Sequence, residues 1–345
     1  FRPPEHIMKA VAESVNNPED YKYSLVDSEE MLNAVVDYYA DRYNTVIKAD
    51  EITAVRGTQE GMAHLGMAIL NPGDVVLLPD PGYPVFEAGS YLGGAEVYYY
   101  PLLRENNFLP VIEDIPEDIL NKTKYIVLSY PSNPVGASAP KEMYVRMIEY
   151  AKKYNFAIIN DNAYSDIIFD GREGFSFLSL PGAKDVGVEF FSLSKSYNVT
   201  GLRISFCIGN KSIIDAFKLL RSQYDFGMSY PAQKAAIAAL RGPRDSVKAQ
   251  CAEYQRRRDA LLNGLRKYGW NVPDSHGTMF VWLPVPEGYT SASFTEALMD
   301  KAGVIGTPGT AFGPLGEGYI RFALTKSAEE LAVIADVIGQ SGVLS

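Results

Sequence analysis

The sequence predicts an α/β fold: a large domain with a mostly parallel seven-stranded sheet between helices, plus a smaller α+β domain. Three observations lead there. Seven short β-prone runs alternate with helical patterns through roughly the first two thirds of the chain. Several of those runs are apolar throughout, as strands covered on both faces are. Beyond about residue 235 the alternation stops and a different rhythm begins.

The runs, in order, are Ile52–Val55, Val75–Leu78, Glu96–Tyr100, Tyr125–Leu128, Ala157–Asn160, Val188–Phe191 and Ile204–Ile208. Between them, stretches such as Gln59–Leu70 and Glu142–Lys153 carry apolar residues at helical spacing. The second region opens with a long charged helix over Ser246–Tyr268. A strand (Met279–Leu283), a helix (Phe294–Ala302), a Gly/Pro-rich loop, a strand (Tyr319–Leu324) and a last helix (Ala328–Ile338) follow. The expected division is a large domain over 21–235, with 1–20 and 236–345 forming the small one. The Arg256–Arg258 run reads as a solvated helix face. No internal repeat or low-complexity tract interrupts the pattern.

Composition narrows the function. The 345 residues carry a formal net charge of −10, which argues against nucleic acid and against an anionic membrane surface. A local basic pocket for a small anion remains compatible with that total. The two cysteines, Cys207 and Cys251, lie far apart in no CxxC spacing, and His6, His64 and His276 form no ligand motif. No metal is therefore expected, and a reducing, cytoplasmic setting fits. No apolar run approaches membrane-spanning length.

Six motifs carry chemistry. Ser192-Leu193-Ser194-Lys195 follows a buried strand, and a desolvated lysine there can attack an aldehyde. Arg203, eight residues on, can grip a phosphate bidentately, with Ser192 adding a hydroxyl. Gly57-Thr58-Gln59 opens a helix, where backbone N–H groups of Thr58 and Gln59 suit an anion. Tyr83, held in Asp80-Pro81-Gly82-Tyr83-Pro84, can stack on a flat ring. Asn133, in Pro131-Ser132-Asn133-Pro134, can donate to a ring oxygen. Asp161 ends a strand where a carboxylate needs a partner, and Tyr164 three residues on can reach a phenolic oxygen. Arg321, within Tyr319–Leu324, calls for an anion such as a substrate carboxylate. Taken singly, each motif also has an ordinary structural use: a cap, an Asx-turn, a packed turn tyrosine or an ion pair. The loop Gly306–Gly313 lacks the spacing of a nucleotide site and reads as a structural turn.

Together the motifs describe one molecule. A phosphate, a planar ring, a ring nitrogen, a ring oxygen and an aldehyde are the features of pyridoxal 5′-phosphate (PLP), with Lys195 as its Schiff-base lysine.

The order GTQEG, DPGYP, PSNPVG, DNAYSD, SLSKSYNVTGLR and GYIRFALT resembles the fold-type-I, class I/II aminotransferases over nearly the whole chain. The wording between motifs is most similar to the LL-diaminopimelate aminotransferase branch. The resemblance implies a homodimer with shared sites, in which the partner subunit's Tyr23 reaches the phosphate, and it adds Ser194 to the cofactor contacts. Five positions depart from the family pattern: Ser28 and Ser205 stand for glycine, Asn33 for arginine, Val135 for threonine and Leu202 for tryptophan. Family members also begin with a segment that closes over the substrate, and this sequence is expected to open after it.

The implied reaction moves an amino group from an L-amino acid, such as LL-diaminopimelate or aspartate, to a 2-oxo acid such as 2-oxoglutarate. Lys195 is the general base, and Arg321 with Asn133 binds the substrate carboxylate. Two alternatives share the motifs: a PLP-dependent C–S β-lyase, and a non-catalytic regulatory or binding protein that retains the fold. Release of pyruvate and ammonia from cystathionine without an added oxo acid marks the lyase. A yellow preparation inert to every amino acid marks the binding protein.

Overall fold

The computed structural model describes residues 1–344. The seven expected runs become seven strands: β1 (Ile52–Val55), β2 (Val75–Asp80), β3 (Glu96–Pro101), β4 (Thr123–Ser129), β5 (Ala157–Asn162), β6 (Gly187–Ser192) and β7 (Ser205–Gly209). They form one sheet in the order β1-β7-β6-β5-β4-β2-β3. Pairs along the β6-β5-β4-β2-β3 stretch are parallel, and β7 runs antiparallel to both of its neighbours. The carboxyl ends of β1, β2, β4, β5 and β6 therefore share one edge with the amino end of β7, where Ser192 lies opposite Ser205.

Alternation along the strands builds a core on each face. Ala54, Leu77, Leu128, Ile158, Phe191 and Phe206 belong to one apolar cluster; Val55, Val76, Val127, Ile159, Phe190 and Cys207 belong to another. Burying both faces is why runs such as Val75–Leu78 are apolar throughout. A charged exception is Glu189, fully buried on the Phe191 face.

A third cluster gathers the long helix Asp245–Lys267, the last helix Ala328–Gln340 and a three-stranded antiparallel sheet. Its strands are β8 (Phe280–Pro284), β9 (Thr307–Pro308) and β10 (Tyr319–Ala323), in the order β8-β10-β9. Tyr164, Ile167 and Phe169 extend from the end of β5 into this cluster, so the chain after β5 bridges two cores. The last helix starts on a capping box between Ser327 and Glu330, a stop-and-start signal that the sequence carries openly. Ile7, on the helix Glu5–Val15, packs into the first cluster with the helix Tyr230–Arg241.

One reading is corrected. The Arg256–Arg258 run is not a uniform solvated face: Arg258 is buried and forks onto both oxygens of Asp170 at 2.7 Å while bonding the carbonyl of Ser275. Three successive residues on a helix point about 100° apart, so one of them necessarily turns inward. Among the described residues no helix is long and apolar enough to cross a membrane.

Candidate active site

At the strand-end edge, a cavity of about 250 Å³ opens between the large sheet and the β8-β10-β9 sheet. Lys195, Ser192, Ser194, Thr200 and Arg203 line one side. Thr58, Gln59, Tyr83 and Val85 line another, and Asn133, Asp161, Ala163 and Tyr164 the floor. Phe280 and Arg321 close it from the small sheet. Every residue expected at the site from this chain's own motifs is brought there. Tyr23 is not: it is 75% exposed, its ring beside Phe226 at 5.1 Å between centroids. It lines a separate surface cavity, which shares Arg203 with the first.

The lysine sits on a single helical turn, Leu193–Ser196, at the end of β6. Ser192 caps that turn by accepting from the backbone N–H of Ser194 at 3.2 Å. Gln250 on the long helix donates to the carbonyl of Lys195 at 2.6 Å and so ties the turn to the other core. Burial, and then the nearby guanidinium of Arg203, pull the Lys195 ammonium below its ordinary range. A lowered lysine pKa is what a nucleophile or base at neutral pH requires.

Arg203 lies across the amino end of the helix Thr58–Ile69. Gly57 caps that helix at φ +91°, and a Cβ there would stand 2.0 Å from Nη2 of Arg203. Only glycine permits both this backbone and this approach. The arginine donates to the carbonyl of Thr200 at 3.0 Å through Nη1. A guanidinium, two hydroxyls and first-turn N–H groups thus converge on one corner, a built anion cradle.

Asp161 is the most exacting group. Its Oδ1 is sealed from solvent and has no hydrogen-bond partner. Burial raises the carboxyl from 3.8 to about 7, against the pull of the Ala163 backbone N–H and with a further push from Glu189. Buried acceptors are normally paired, so this atom calls for a donor, above all a cationic one.

Arg321, paired in register with Trp282 and Thr307, bonds Oδ1 of Asn133 at 2.7 Å. Its guanidinium lies between the rings of Phe280 and Phe312, 4.0 and 4.5 Å from their centroids. Its Nε is buried and unpaired, and burial lowers its pKa. Among the described residues its polar partner is the Asn133 amide oxygen, with no carboxylate in salt-bridge reach. The Gly306–Gly313 segment, expected as a turn, instead holds β9 (Thr307–Pro308) and a short 3-10 helix (Gly309–Phe312). Gly82 donates to the carbonyl of Phe312, and Leu315 to Asp80, which docks Phe312 against the arginine.

Sequence reasoning missed Gln250, Phe280 and Phe312. No local signal marks them, because their roles come from packing between distant segments.

Residues 1–338 match the model of the family described as aminotransferase class I and II. The LL-diaminopimelate aminotransferase of a strain of Dehalococcoides mccartyi is 45% identical over 95% of this chain and 85% of its own length. Among solved structures, substrate-bound BacF of Bacillus subtilis superposes with TM-score 0.96 at 34% identity, covering 99% of this chain and 88% of that one. An aminotransferase of Staphylococcus aureus gives 0.95 at 33%, covering 100% and 92%.

Proposed function

The chain belongs to the class I and II aminotransferases, a family that uses PLP, and from that premise we propose where this enzyme holds its cofactor and on what it acts. The observation that carries the reading is the unpaired, solvent-sealed Oδ1 of Asp161 in a cavity that also holds Lys195 and Arg203. It fits a protonated pyridine nitrogen. The remaining donors fit the other parts of PLP. Arg203, Ser192, Ser194 and the N–H groups of Thr58 and Gln59 would hold the phosphate. Tyr83 would cover the ring, Asn133 and Tyr164 would bond its phenolic oxygen, and Lys195 would bond its aldehyde.

When bound, PLP supplies an aldehyde that captures amines and a ring that takes up an electron pair. The protein's part is positioning and proton transfer. Asp161, ionised once it meets a cationic N–H, keeps the proton on the ring nitrogen. Lys195 Nζ, released when the substrate amine takes its place, removes the proton from the substrate α-carbon and returns one on the cofactor side. Arg321 holds the α-carboxylate in both halves of the cycle, and its aromatic walls keep water from competing.

The proposed donor is LL-diaminopimelate, supported by relatives of that name at 38–45% identity, and the proposed acceptor is a 2-oxo acid such as 2-oxoglutarate. The proposal includes a homodimer in which the partner subunit's Tyr23 completes the phosphate site; the exposure of Tyr21, Tyr23, Leu25 and Val26 supports it. It also includes a cytoplasmic setting, resting on two unpaired cysteines, and a division into a large and a small domain. In that division the helices Glu5–Val15 and Tyr230–Arg241 go with the large-domain core rather than being split off at residues 21 and 235. A half-reaction screen tests the substrate. The PLP form is mixed with a panel of amino acids, and decay of its visible band is timed. LL-diaminopimelate should react fastest; equal or faster decay with aspartate, alanine or an aromatic amino acid removes it as the preferred donor.

A further inference from the structure

We infer that Ser205 is a positioning residue: it fixes the direction of the Ser192 hydroxyl proton and so commits Ser192 to donate to the phosphate of the cofactor. The inference rests on the reading of the cavity as a PLP site.

Ser205 starts β7, directly opposite Ser192 in the antiparallel pair, and is completely buried. A hydroxyl oxygen carries one proton and two lone pairs. Ser192 Oγ accepts from the backbone N–H of Ser194 at 3.2 Å and from Ser205 Oγ at 2.9 Å. Both lone pairs are then in use, and the single proton of Ser192 is left for the cavity that this residue lines. Ser205 is itself oriented, because its oxygen accepts from Thr58 Oγ1 at 3.4 Å. The three hydroxyls form a one-way relay, Thr58 to Ser205 to Ser192.

Two consequences follow. The hydroxyl of Thr58 is spent within the relay, so Thr58 serves the anion through its backbone N–H at the first turn of the helix Thr58–Ile69. A phosphate monoester dianion accepts hydrogen bonds and donates none. A hydroxyl already aimed at it loses no rotational freedom on binding. With glycine in place of Ser205, the residue that the family resemblance leads one to expect, Ser192 would keep a free lone pair and its proton could turn elsewhere.

The test uses cofactor-free full-length protein, titrated with PLP and, separately, with pyridoxal, which lacks the phosphate. Wild type, Ser205→Ala, Ser192→Ala and the double variant are compared through the band formed on cofactor uptake. Ser205→Ala should weaken PLP by about tenfold, the scale of one hydrogen bond to a charged group. Pyridoxal affinity should be unchanged, which also shows that the variant is folded. The double variant should bind PLP as Ser192→Ala does. An equal loss for PLP and pyridoxal, no loss for PLP, or full additivity in the double variant overturns the inference. Wild-type protein that takes up no PLP overturns instead the reading of the cavity on which the inference stands.

Discussion

Two carboxylates, one residue apart in register on adjacent strands, are treated in opposite ways: Glu189 is fully buried, and Asp161 is half-buried with its Oδ1 sealed. Glu189 on β6 accepts from Tyr39, Ser176, Asn160 and the backbone N–H of Phe177, all within 2.8–2.9 Å. Burial pushes its pKa up, and those hydrogen bonds pull it back. Asp161 on β5 points to the other face, keeps one backbone contact and leaves Oδ1 with nothing. The same desolvation is offset in one case and left standing in the other. A carboxylate surrounded by the protein's own donors is architecture, whereas one left short of a donor in a cavity is waiting for a ligand. The same contrast separates Arg258, saturated by Asp170 and Ser275, from Arg321, whose Nε is unpaired.

The largest effect that the contrast predicts lies in the cavity. Lys195→Ala should lower the rate of the amine half-reaction on the order of 10³-fold or more, since both the covalent anchor and the base are lost. Stopped-flow decay of the PLP band with the preferred amino acid measures it; near-wild-type decay would assign the base elsewhere.

Next is Asp161→Asn, where activity and stability should move in opposite directions. The half-reaction should slow on the order of 10²-fold, because an amide cannot hold the ring nitrogen protonated as a carboxylate can. The sign of the stability change follows from linkage. In the cofactor-free fold the carboxyl titrates near 7, against 3.8 for an ordinary aspartate. Between those values the folded state holds a proton that the unfolded state has released, so this group's contribution to stability falls as pH rises through that window. Asp161→Asn should therefore raise the Tm of cofactor-free protein at pH 8, leave it nearly unchanged at pH 4, and flatten the profile between. A lower Tm at pH 8 would mean that Oδ1 has a partner after all.

A smaller loss is expected at Arg321. Arg321→Lys keeps the charge but gives up the planar fork and the stacking between Phe280 and Phe312. KM for donor and acceptor should rise together, by about 10- to 100-fold, as one carboxylate site serving both halves requires. A rise for only one of the two substrates would split the site.

How much of this was legible in the sequence depends on how local the cause is. Strand positions were, because doubly covered strands are largely apolar; Ile52–Val55 came out with the expected bounds. The cavity residues were, because Lys195, Asp161, Asn133 and Tyr83 each stand at or just past the end of a strand, within a short motif of its own. Arg258 was misread because charge in a helix reads as solvated until its partner, Asp170, is known to lie across from it. Gln250 and Phe312 act over long sequence separations and leave no local trace. Glu189 did leave one: a carboxylate within an otherwise apolar, doubly buried strand signals a hidden set of donors.

That signal gives the smallest predicted effect on catalysis and the cleanest contrast with Asp161. In Glu189→Gln one oxygen becomes an NH₂ group facing either Tyr39 and Ser176 or Asn160 and Phe177, all of which were donating. The N–H groups of Asn160 and Phe177 claim the remaining oxygen, so the NH₂ faces the hydroxyls of Tyr39 and Ser176, which must turn their protons away from it, at a cost of about 1–3 kcal/mol for buried groups left unpaired. The denaturation midpoint of cofactor-free protein should fall accordingly, the reverse of the change at Asp161. The loaded enzyme that survives should keep a kcat close to wild type, since Glu189 faces away from the cavity and touches none of its lining. Its one reach into the site is electrostatic: removing the charge takes away a push on Asp161, whose titration near 7 should shift downward. Infrared titration of the Asp161 carboxyl measures that shift. A kcat loss as large as that of Asp161→Asn would place both carboxylates in the chemistry and break the division between them.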